Sequence, residues 1–155
     1  DYTDLRIGFI SGQFHHNKSQ EVKEQFEVLG IIQKSDAGVN KEELTAYTVF
    51  GRYSVVFPLM NQINEVVNLF AIRFELATPI EEYFNSEGVY PAYPPPLTKR
   101  LYLVPTVLDC ASLLQSKTLE NRETVMALHN GELLPQHLEA IKGLHELEEI
   151  IIIKR

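Results

Sequence analysis

Cysteine is nearly absent. Cys110 is the only one in 155 residues, so no disulfide closes within the chain and no zinc site can be built from cysteine thiolates. That count fits a reducing, cytoplasmic setting. Long apolar runs are missing too. The longest, Ile150 to Ile153, is strand length, far below the roughly 20 residues of a membrane span. The opening residues, DYTDLRIGF, lack the basic start and apolar block of a secretory signal. Basic charge is also in deficit: 14 Lys and Arg stand against 21 Asp and Glu, a formal net charge of −7. Proteins that grip nucleic acid through its phosphates present a basic face. Strong non-specific binding by the whole surface is therefore disfavoured, but a local basic patch is not. There is no internal repeat and no low-complexity tract.

Apolar residues make up 45% of the chain, enough for one ordinary domain or two small subdomains sharing a core. The chain opens without Met and stops on a strand, which points to a fragment of a longer protein.

Three zones differ in character. In residues 1–46, Ser19 is a candidate cap for a helix over about 20–29, with Gly30 as its left-handed stop. Val22, Phe26 and Leu29 make one apolar stripe along it. In residues 47–98, YSVVFPL (53–59) is a strand ending at Pro58, and VVNLFAIRFE (66–75) is a second strand. In the latter, Val67, Leu69, Ala71 and Phe74 partly alternate with polar residues. NQINE (61–65) is the hairpin turn between the two. PAYPPPL (91–97) is a stiff linker. In residues 99–155 the elements alternate: strand 101–104, helix about 107–116, strand 124–128, helix about 135–147, strand 149–154. That order predicts βαβ units and a parallel sheet. Pro135 suits a first helical turn, and Leu138, Ile141, Leu144 and Leu147 are the expected inner face. The continuously apolar last strand predicts a central strand buried on both faces.

These residues resemble the catalytic core of bacterial-type DNA primases, whose toprim domain binds metal. The frame LYLV-PT-VL-D-CASLL is similar to that family's strand, Glu-Gly, two residues, Asp, then helix. ALHNGELLPQHLEAIKGL (127–144) is similar to the following loop and helix. GRYSVVFPLMNQINEVVNLFAIRFE (51–75) resembles the segment before toprim, with Arg52 and Arg73 in its two basic positions. Tyr83-Phe84-Asn85-Ser86 resembles the family's Tyr-Leu-Asn-Ser. The resemblance implies an α/β fold, with a toprim-like parallel sheet and flanking helices plus a smaller α+β N-terminal subdomain. It places a primase-core-like subdomain at 1–98 and a toprim-like domain at 99–155.

Primer synthesis is nucleotidyl transfer, in which metal ions hold the triphosphate and stabilise the in-line displacement. Magnesium takes hard oxygen ligands, which toprim supplies as a Glu after the first strand and an Asp-x-Asp after a later one. Here the Glu-Gly positions read Pro105 and Thr106, and the last strand runs into Lys154-Arg155. Asp109 remains as a catalytic remnant. Glu132, near the same sheet edge, joins it as a weak metal candidate. Asp109 has a second reading: an acid in the first turn favours the positive end of its own helix dipole. No cofactor is expected, with Mg2+ the one implied if the family activity is retained.

Arg52, Arg73, Lys99 and Arg100 are the candidate nucleic-acid contacts, since guanidinium suits bidentate phosphate recognition; a solvated face or ion pairs is the competing reading. Tyr90 and Tyr93 either stack on bases or pack against a neighbouring surface. His129 either contacts an anion when protonated or is a loop residue. Adjacent His15 and His16 lack a third metal ligand nearby. His137 and His145 are eight apart, not at the i, i+4 spacing that chelates on a helix. Cys110 reads as a small core residue. The leading expectation is a primase-like protein of DNA replication or a mobile element. It would bind single-stranded DNA or nucleotides, meet other replication proteins, avoid membranes, and have little or no polymerase activity. The alternative is a non-catalytic interaction or regulatory module on a toprim scaffold.

Overall fold

The structure, a computed structural model, describes residues 5–12, 19–34, 47–75 and 78–154. His15, His16, Arg155 and most of the polar stretch before residue 47 lie outside them. Contacts divide the chain into two compact units. Unit 1 takes Asp1–Gly8, Phe57–Phe70 and Tyr83–Arg155; unit 2 takes Phe9–Val56 and Ala71–Glu82.

A four-stranded sheet has the order β1 (Gly8–Ile10), β4 (Ser54–Met60), β5 (Val66–Glu75), β6 (Thr78–Tyr83). Helix α1 (Gln20–Val28) begins where Ser19 accepts a hydrogen bond from Val22 N, as its cap position predicts. A two-stranded antiparallel sheet pairs β2 (Ile32–Lys34) with β3 (Tyr47–Val49). The turn between β4 and β5 is built by Asn61. Its Oδ1 accepts from Ile63 N at 3.1 Å and Glu65 N at 2.8 Å, while Asn64 takes a left-handed φ of 63°. Pro58 lies inside β4, not at its end. The buried side of β5 also differs from the expected alternation. Asn68, Phe70, Ala71 and Ile72 are buried, whereas Phe74 is 71% exposed. Buried Asn68 is tolerated because its amide donates to Asn85 O and Glu87 O and its carbonyl accepts from Leu69 N and Asn85 N.

In unit 1, β7 (Arg100–Val104), α2 (Val107–Ser116), β8 (Glu123–Ala127), α3 (Pro135–Lys142) and β9 (Glu149–Ile152) form an all-parallel sheet with order β8-β7-β9. The alternation of strand and helix in the sequence dictates that arrangement. Two expectations fail. β7, not β9, is the central strand; β9 pairs only with β7 among the described residues, and Ile150 and Ile152 are exposed. An apolar run thus marks β9 as a strand without fixing its place in the sheet. Helix α3 is also shorter than periodicity predicts, ending before Gly143. It buries His137 and Ala140, with Leu144 buried just beyond it, while Leu138 is 42% exposed. The core gathers Val89, Leu101, Leu103, Met126, Ala140 and Leu144.

Candidate nucleic-acid interface and sheet-edge corner

At the carboxyl end of β7 the chain turns through Pro105 into α2. Thr106 is extended, with φ −133° and ψ 164°, and caps the helix. Its Oγ1 accepts from Asp109 N at 3.2 Å and donates to Asp109 Oδ2 at 2.7 Å. Through one hydroxyl Thr106 thus caps the helix and turns the Asp109 carboxylate onto its own helix start, where the dipole favours it. Gly131 N donates to Pro105 O at 2.8 Å, which seats the 129–132 loop, and exposed Glu132 with it, beside this corner. The corner therefore offers one carboxylate held in a cap, one exposed carboxylate, a capping hydroxyl and a proline. That set is a poor chemical fit for magnesium as a nucleotidyl-transfer metal, which needs several converging oxygen anions. Among the described residues, no three His, Cys, Asp or Glu side chains gather where they could hold a metal ion.

Unit 2 brings Arg52 and Arg73 together. Arg73 Nη1 donates to Arg52 O at 3.2 Å. The Arg52 guanidinium lies over the ring of Tyr53, 4.9 Å from its centroid, and its Nη2 reaches the Tyr53 hydroxyl at 3.4 Å. Arg52 and Tyr53 are exposed, the tyrosine by 49%. Two glycines make this geometry possible. Gly51, with a φ of +62°, turns the chain, and its N–H donates to Glu82 Oε1 at 3.0 Å. Gly12 approaches so closely that a Cβ there would sit 2.2 Å from Arg52 Cγ. The result is a cation, an aromatic face and a second guanidinium on one small surface, the combination that suits a nucleotide strand.

Lys99 and Arg100 stand at the opposite end of β7 from the Pro105 corner, within an ion-pair network. Lys99 pairs with Glu148. Arg100 pairs with Glu123 through Nη1 and with Glu149 through Nε, the latter at 2.6 Å. Glu123 and Glu149 are the Arg100 register partners on β8 and β9, so one guanidinium ties the amino ends of three strands. A hydrogen bond from Glu120 N, and then Arg100 itself, holds the Glu123 carboxyl below its usual range.

No family model matches the chain, and no curated protein matches it. Solved structures do. A DnaG primase catalytic domain bound to ssDNA superposes with a TM-score of 0.70 at 14% identity, over 97% of this chain and 49% of that one. The fold is primase-like. A DNA primase domain from Pseudomonas aeruginosa gives a TM-score of 0.70 at 11% identity, over 97% of this chain and 48% of that one. The chain thus spans about half the length of the primase structures it matches. At such identities the likeness is one of fold: a toprim-like core with its companion subdomain.

Within the primase fold, several sequence-level candidates are structural. Tyr90 is 1% exposed; its hydroxyl donates to Leu5 O at 3.1 Å and its ring meets Phe57 edge-on. It is core, not a stacking platform for bases. Tyr93 packs against the unit 1 core. Cys110 is fully buried, and burial pushes its thiol up, away from nucleophilic use. His129 stacks on Tyr83 with centroids 3.8 Å apart. Burial lowers its pKa against the opposing pull of Glu132, which disfavours the charged form that an anion would need. His137 is 2% exposed, and its Nδ1 accepts from Leu134 N at 2.9 Å. There it fills the place at the head of α3 that Glu or Gln usually takes. Sequence reasoning missed Tyr53 beside Arg52. The Gly-Arg-Tyr triplet after a strand was the available signal.

Proposed function

We propose that this chain is a primase-fold protein of DNA replication or of a mobile element, placed in the cytoplasm, that holds single-stranded DNA on the Arg52, Tyr53 and Arg73 surface. It does so without carrying out nucleotidyl transfer itself. The observation that carries the reading is the Arg73 to Arg52 hydrogen bond beside an exposed tyrosine. One of the fold neighbours is a primase catalytic domain bound to ssDNA, which supports it. Lys99 and Arg100 have carboxylate partners already, so the proposal assigns them a lesser share. The Pro105 corner supports the absence of transfer, since its side chains do not supply a magnesium cluster. No described helix is long and apolar enough to cross a membrane.

The test is fluorescence anisotropy of a labelled single-stranded oligonucleotide across a salt series. Binding that weakens with salt, and weakens further in Arg52→Ala and Arg73→Ala, supports the proposal. Binding that is absent or indifferent to salt sinks it. Template-directed primer synthesis by this chain with Mg2+ or Mn2+ would overturn the claim that it carries out no transfer.

A further inference from the structure

Tyr53 stands where a bulky residue is seldom found. Ser54 N donates to Gly51 O at 3.0 Å, closing a turn with Tyr53 in its third position. Tyr53 holds a left-handed φ of 56° there, a conformation that Gly or Asn adopts at least cost. Several bonds hold the turn. Gly51 N donates to Glu82 Oε1 at 3.0 Å, and the Arg52 carbonyl accepts from Ser54 Oγ at 3.3 Å and from Arg73 Nη1 at 3.2 Å. A strained residue persists only where its surroundings fix it, and such residues gather at ligand sites.

The strained turn presents a ring to solution. Tyr53 is 49% exposed although the Arg52 guanidinium covers one face of its ring. No other described ring stacks on it. A nucleotide joins a flat base to a phosphate through one sugar, and here a flat ring and a cation are in contact. Bases inside a duplex have both faces covered by their neighbours, whereas a single strand can splay a base onto an aromatic side chain.

We propose that the ring face Arg52 leaves uncovered seats one unpaired base of the bound strand, with the flanking phosphates on Arg52 and Arg73. The proposal rests on the reading of that surface as a single-strand site. It adds a recognition of unpaired bases that charge alone does not give.

Anisotropy with three probes of equal length tests it: a single strand, the same strand with abasic sites throughout, and its duplex. The single strand binds more tightly than the abasic strand by about five- to 150-fold, the effect of one stacked base. Tyr53→Phe keeps that ratio. Tyr53→Asn weakens the single strand by the same factor, leaves the abasic strand and the duplex unchanged, and does not alter the salt slope. Asn accepts the φ of the turn, so the urea midpoint of Tyr53→Asn stays level or rises; a purely structural role for the ring would lower it. Equal affinity for the intact and abasic strands overturns the proposal while a salt-dependent Arg52 and Arg73 site still stands. A Tyr53→Asn loss shared equally by all three probes does the same. Binding of no probe by the unaltered chain overturns both readings.

Discussion

Arg73 donates from Nη1 to the main-chain carbonyl of Arg52 at 3.2 Å. The bond places the Arg73 head beside a second guanidinium, which lies over an aromatic ring. Fixed geometry lowers the entropy cost of gripping a phosphate, an advantage that a pair of freely swinging lysines lacks.

The first prediction concerns charge. For single strands, the slope of log K against log salt is about −0.7 per phosphate contact. Arg52→Ala and Arg73→Ala should each reduce the slope by about that amount, and the double variant should reduce it by about twice as much. Lys99→Ala should change it less, because Lys99 is paired with Glu148. An equal loss from Lys99→Ala would give Lys99, at the amino end of β7, an equal share in the interface.

Gly12 gives a second prediction. It holds a φ of +75°, and a Cβ there would displace the Arg52 stem. Gly12→Ala should cost about 1 kcal/mol of stability from the left-handed backbone. It should also weaken oligonucleotide binding about as far as Arg52→Ala does. Added to Arg52→Ala it should weaken binding no further, because both changes act on one side chain. Additive losses in that double-mutant cycle would show that Gly12 does not act through Arg52.

Magnesium supplies the third. The Asp109 carboxylate accepts from Thr106 Oγ1 at 2.7 Å in a helix cap, and Pro105 adds no oxygen anion. Titration with millimolar Mg2+ or Mn2+ should leave the backbone amides of Thr106 to Asp109 and Asn130 to Glu132 in place in an NMR spectrum. Metal-dependent shifts clustered on both segments would establish a surviving site and remove the argument against transfer.

The parallel half of the fold was legible because its signals are local. Apolar runs and Pro135 in a first turn each specify their own element. Strand order is not local: β7 and β9 are both apolar, and only tertiary pairing makes one central and the other an edge. The same limit hid the partners of Lys99 and Arg100, whose carboxylates arrive from positions 123, 148 and 149. Arg52 and Arg73 stood out by resemblance, but Tyr53 needed the turn at Gly51 to become part of their surface. Tyr90 looked like an exposed aromatic among prolines because sequence does not show that Val89 and Tyr90 bridge Met60 and Ala127 and so enter the core.

His137 gives the last prediction, on stability against pH. The ring is 2% exposed, and its Nδ1 accepts from Leu134 N, a role only the neutral imidazole can fill. Burial, with His129 adding repulsion, pushes its pKa from the ordinary 6.5 down to about 4. The folded-state value lies below the unfolded one, so on acidification the unfolded chain takes up the proton first. The stabilisation is complete above pH 6.5, declines as pH falls, and is lost by about pH 4. The loss attributable to this group is about 1–3 kcal/mol. Urea unfolding at pH steps through that window should show the decline. His137→Gln, whose Oε1 can still accept from Leu134 N, should flatten it. If the decline is as steep in His137→Gln as in the unaltered chain, other groups titrate there and the assignment to His137 fails.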